Sequence, residues 1–97
     1  MQLQFTNKFN ETYLIHDKNG NALNVGDKVK VVQKSNGCYN GIAIVSGMRY
    51  TSQISLENIF GEYVGTFIGD YESDGNGNLK AYSRNDWSEV EYSLDKI

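Results

Sequence analysis

Proline is absent from this chain of 97 residues, and cysteine and histidine occur once each, as Cys38 and His16. A lone cysteine excludes an internal disulfide and a cysteine-based zinc site, and it fits a reducing, cytoplasmic compartment. As a nucleophile Cys38 would need a base, and nothing in the spacing places His16 beside it. The expectation is a small half-buried thiol in the loop from Ser35 to Gly41. Long apolar runs are missing as well. The longest, Ile42 to Val45, falls far short of the roughly 20 residues that cross a bilayer, and Met1-Gln2-Leu3-Gln4 has neither the basic cluster nor the apolar stretch of a signal peptide. A soluble protein with no membrane partner is expected. The chain also lacks a phosphate-binding glycine loop, a nucleophile elbow and a cluster of metal ligands. No enzymatic activity, no cofactor and no metal site are therefore predicted for a chain too small to enclose a large pocket.

What is present describes one globular domain spanning residues 1–97. Apolar residues make up 39% and charged residues 22%, and seven Tyr, four Phe and one Trp are too many aromatics for a disordered chain. The net charge of -3 conceals a polarity. Residues 1–49 carry six Lys/Arg against three Asp/Glu, a balance of +3, while residues 50–97 carry three against nine, a balance of -6. Such an excess of acid argues against a general nucleic-acid binder.

Without proline, turns fall to the ten glycines and eleven asparagines, residues that tolerate positive φ and make tight hairpins. The breaks at Asp17-Lys18-Asn19-Gly20-Asn21, Ser35-Asn36-Gly37, Ser46-Gly47 and Ser73 to Asn78 divide the chain into strand-like pieces. These are Leu3 to Phe5, Thr12 to His16, Lys28 to Gln33, Ile42 to Val45, Met48 to Ile54, Tyr63 to Tyr71, Leu79 to Ser83 and Glu89 to Leu94. In the last, Val90, Tyr92 and Leu94 should face the core and Glu89, Glu91 and Ser93 the solvent. Helical spacing occurs once, at Leu56, Ile59, Phe60 and Tyr63, with Ser55 to cap and Gly61 to stop, which predicts a short helical turn over 55–60.

The stretch from Asp17 to Val31, in which Asn19-Gly20 turns the chain and Gly26-Asp27 leads into Val29 and Val31, resembles the opening of small SH3-like barrel proteins of phages and mobile elements, the YopX-type proteins among them. The resemblance covers about half the chain. It implies an all-β, SH3-like or related open barrel of hairpins with its core in residues 25–69, beyond which residues 70–97 extend as a C-terminal hairpin. An oligonucleotide-binding-type barrel and a two-sheet roll are the competing architectures.

Two surfaces are candidates for binding. The first is acidic and aromatic, with Tyr71, Glu72, Tyr82, Trp87, Glu89 and Glu91, where rings would anchor a partner protein and carboxylates would attract a basic one. An acidic face of this kind could also mimic nucleic acid. The second has Lys28, Lys30, Lys34 and Arg49 to meet phosphates and Tyr39 or Tyr50 to stack on bases. The leading expectation is a non-catalytic module that binds a protein, a phage or mobile-element accessory factor acting on a host protein. A nucleic-acid binder and a structural subunit of an assembly are the alternatives. Asp74-Gly75-Asn76-Gly77 matches the middle of an EF-hand loop, but Glu72 and Ser83 occupy its two end positions, so a polar hairpin loop is expected there.

Overall fold

The computed structural model describes residues 1–50 and 52–97. Among the described residues, short runs of alternating apolar and polar residues, broken by Gly, Asn and Asp, produce nine strands: β1 (Gln4–Thr6), β2 (Thr12–His16), β3 (Lys28–Gln33), β4 (Gly41–Arg49), β5 (Gln53–Glu57), β6 (Tyr63–Phe67), β7 (Tyr71–Ser73), β8 (Asn78–Arg84) and β9 (Val90–Lys96). The fold is all-β, and the described residues contain no helix, hence none long and apolar enough to cross a membrane.

The strands form one open sheet in the order β1-β2-β8-β9-β3-β4-β5-β6, with β7 paired to β8 off that path. Neighbours run antiparallel except β2 and β8, whose parallel register sets Ile15 opposite Leu79. Everything from β3 to β7 lies between these two strands in the chain, which satisfies the long crossover that a parallel pair requires. One face of the curved sheet supplies the core, with Ile15, Leu23, Val29, Val31, Val45, Ile54, Leu56, Phe67 and Leu94 fully buried.

Period-two patterning places β2 and β3 where the sequence predicts them; elsewhere the structure differs for local reasons. Ser46-Gly47 does not end a strand. It forms a bulge, so that β4 continues to Arg49 with Val45 opposite Leu56 and Gly47 opposite Ser55. The predicted helical turn over 55–60 is a strand and a hairpin instead. Ser55 and Leu56 belong to β5, and Asn58 Oδ1 accepts the N–H groups of Phe60 at 2.9 Å and Glu62 at 3.0 Å, leaving Ile59 and Phe60 in solvent. The helical spacing arose because a strand's inward Leu and a turn's exposed apolar tip fall three and four residues apart. Ser93, expected in water, is buried between its register partners Tyr82 and Val32.

The Asn58 turn is one of five built alike among the described residues. Asn7, Asp17, Asn58, Asp74 and Asn85 each open a five-residue turn in which the side-chain oxygen accepts N–H groups two and four residues on. The fourth residue takes positive φ in every copy, as Asn10, Gly20, Gly61, Gly77 or Ser88. The Asn or Asp stabilises the turn within its own five residues.

Two polar side chains tie distant strands together. Gln33, buried at the end of β3, donates from Nε2 to the carbonyls of Tyr39 at 3.0 Å and Thr66 at 3.2 Å and accepts the Ile68 N–H at 2.9 Å, fastening β3 to the end of β6. Just beyond, the chain passes so close to β9 that a Cβ at Gly69 would lie 2.6 Å from that of Tyr92. Asp17, fully buried, accepts from the backbone of Asn19 and Asn21, from Asn21 Nδ2, and from the Lys96 N–H on β9. Burial opposes its ionisation, but these donors outweigh that effect and hold its pKa below the ordinary value of 3.8.

Candidate binding surfaces

The five similar turns allow an internal comparison. Their third positions hold Phe9, Asn19, Phe60, Asn76 and Trp87. The two asparagines show that the turn works without an aromatic there. Nonetheless Phe9, Phe60 and Trp87 are 71%, 79% and 82% exposed, so their rings bury little against the fold. Sequence reasoning singled out Trp87 but missed Phe9 and Phe60. The signal available was the spacing itself, Asn or Asp followed at the fourth residue by Asn, Gly or Ser and at the fifth by Glu or Asn.

The acidic and aromatic candidates do not form one patch. Trp87 sits at the β8–β9 tip with Asp86 and Glu89, both exposed, while Arg84 donates to the Ser88 carbonyl at 3.0 Å and stacks over Tyr82 with its guanidinium 5.3 Å from the ring centre. Glu91 lies half-buried on β9, its carbonyl accepting the Lys34 N–H. Tyr82, by contrast, is only 8% exposed and packs as core. Tyr71 is half-buried against Phe67, and its hydroxyl donates to the Ser52 carbonyl at 2.6 Å; burial pushes its pKa above the usual tyrosine range. Glu72 pairs in register with Lys80, away from the β8–β9 tip.

The basic candidates assemble more fully. Lys28 and Lys30 alternate with buried Val29 and Val31, so both lie on the outer face of β3. Register carries that face across the sheet from Lys28 to Ile44, then Glu57, then Tyr63 on β6. Arg49 is on the same face opposite Gln53, because the bulge before it shifts the alternation by one residue. Its guanidinium lies 4.6 Å from the Tyr63 ring centre and 5.5 Å from that of Tyr50, within cation–π range of both. Lys34 follows β3 and is exposed. Tyr39 does not join this surface as a free platform: its hydroxyl donates to the Ile42 carbonyl and its Cβ packs 3.6 Å from where a Cβ would stand at Gly65.

His16 faces a hollow of about 120 Å³ with Gly20, Asp74, Asn78 and Lys80, whereas Cys38 is half-buried in the β3–β4 loop. The oxygens of Asp74 already accept from Asn78 and Asn76, and these bonds hold its pKa below the ordinary value. Among the described residues no three His, Cys, Asp or Glu side chains converge as metal ligands.

The chain matches no family model, no curated protein and no solved structure.

Proposed function

We propose that the protein is a non-catalytic binding module that engages another protein through the β8–β9 hairpin, with Trp87 as the anchor and Asp86 and Glu89 as flanking charges. The observation that carries this reading is the exposure of Trp87 at a turn position that Asn19 and Asn76 fill elsewhere in the same chain. An indole in water contributes little to folding, and Trp is the residue most often found at the energetic centre of interfaces. The neighbouring carboxylates select a basic partner and speed its approach.

We propose further that the strands belong to a small SH3-like barrel. The path β9-β3-β4-β5-β6 is a four-strand meander with the last strand returned beside the first, the strand order of an SH3-like barrel, and Gln33 draws its ends together. With the resemblance of Asp17 to Val31, this supports a cytoplasmic accessory protein of a phage or mobile element that acts on a host factor.

Trp87 is the only tryptophan, so its fluorescence reports the site directly. Wild-type protein, Trp87→Ala and the double variant Asp86→Lys/Glu89→Lys are used to capture partners from extract of the host cell, and the captured protein is then titrated against the wild type. A partner lost with both variants, whose binding shifts the Trp87 emission to the blue, supports the proposal. Capture that is insensitive to both variants, or a discrete self-assembly that forms without a partner, overturns it.

A further inference from the structure

We infer that the outer face of β3–β6 is a second binding site, independent of the β8–β9 hairpin, and that its ligand is single-stranded nucleic acid. The chain as a whole carries a charge of -3, yet among the described residues the strands of this face present Lys28, Lys30 and Arg49 against Glu57, while Glu62, in the adjoining β5–β6 turn, accepts from Asn58 Nδ2 at 3.3 Å. The nearest other acid in register is Asp95, opposite Lys30 on β9, and Lys18 already pairs with it at 3.0 Å. The local field therefore favours an anion despite the acidity of the protein.

Aromatic placement narrows the class of anion. Tyr63 and Tyr50 are 54% and 74% exposed and flank one guanidinium. Gly47, between Ile44 and Arg49 on β4, adds no side chain to the face. Tyr50 takes a φ of +53°, a conformation that is costly for a bulky residue and that persists where the surroundings impose it, often at functional sites. Exposed rings beside exposed cations suit bases that are already unstacked, with Tyr50 and Tyr63 stacking and Arg49, Lys28 and Lys30 meeting the backbone. A duplex offers its phosphates but not its base faces, so it uses only half of what the surface provides.

Fluorescence anisotropy with a labelled oligothymidylate and with a duplex of mixed sequence tests the assignment on the full chain. Three phosphate contacts on a single strand predict a salt slope near 2, so affinity for the oligothymidylate falls about 20-fold between about 50 and about 200 mM salt. Lys28→Glu with Lys30→Glu should remove most of that dependence, and Tyr63→Ala should weaken binding about tenfold or more at constant salt. Circular dichroism confirms that these surface variants fold, and Trp87→Ala, which disables the hairpin, should bind the oligonucleotide like the wild type. No binding at about 50 mM salt, tighter binding to the duplex, binding unaffected by both the lysine and Tyr63 variants, or loss of captured protein in place of oligonucleotide on reversing the lysines overturns the inference.

Discussion

The carboxylate of Asp17, in the turn after β2, accepts the backbone N–H of Lys96 on β9 at 3.0 Å, a link between residues 79 positions apart. It joins the N-terminal hairpins to the centre of the sheet, and Lys96 returns along the same seam with its ammonium 3.3 Å from Asp27.

Asp17→Ala strands the Lys96, Asn19 and Asn21 donors and should cost about 2–4 kcal/mol, seen as a lower urea midpoint. The folded-state pKa of Asp17 is depressed, so its contribution is complete above the unfolded value near 3.8 and is lost as pH falls through the lower folded value. Between about pH 7 and about pH 3 the wild type should therefore lose more stability than Asp17→Asn. Equal losses would show that the carboxylate is not the group that titrates.

Gln33 and Gly69 act at one crossing. Gln33→Leu leaves the Ile68 N–H and two carbonyls without their partner and should cost about 2–4 kcal/mol, with the Ile68 amide exchanging faster than its neighbours. Gly69→Ala sets a methyl against Tyr92 and the Phe67 ring and should cost about 1–3 kcal/mol. Wild-type hydrogen exchange at Ile68 in Gln33→Leu would disprove the fastening role.

The fourth residue of each of the five turns takes positive φ, which favours glycine. Ser88 has a φ of +62° where three of the turns carry glycine, so Ser88→Gly should stabilise by about 0.5–1 kcal/mol, and Gly61→Val should destabilise by about 1–2 kcal/mol. Thermal melting of the two variants checks both signs.

Tyr82 and Trp87 provide a contrast within one hairpin. Tyr82→Ala opens a cavity and should cost about 3 kcal/mol, while Trp87→Ala should change stability by less than about 0.5 kcal/mol. Comparable losses in chemical denaturation would mean that the indole packs against the fold, which removes the basis for the binding proposal.

Alternation made β2 and β3 readable, because Val29 and Val31 against Lys28 and Lys30 leave one way to face a core. The same rule misled at Ser46-Gly47, since a polar residue with glycine marks a bulge as readily as a turn and only the partner strand distinguishes them. Of the acidic candidates, Trp87 and Glu89 share the exposed β8–β9 tip, and Tyr82 lies in the core. Of the basic ones, Lys28 and Lys30 share a face with Arg49, which holds Tyr50 beside it. Tyr63 joined them unannounced, because Glu57 and Ile44 connect it to Lys28 only through three strand pairings.

Local sequence was enough to set the class of fold and the chemistry of its turns. Strand propensity, period-two patterning and the capture of nearby N–H groups by Asn or Asp all act within a few residues, so the information needed for them is local. Tertiary structure alone decided which strands are neighbours, why a glutamine is buried, and which rings face water. Tyr82 and Trp87 are five residues apart in one β hairpin, and neither residue type fixes its own burial. What separates them is packing: β9 runs beside Tyr82 and sets Ser93 opposite it, while Trp87 occupies a tip that lies beyond the last paired residues.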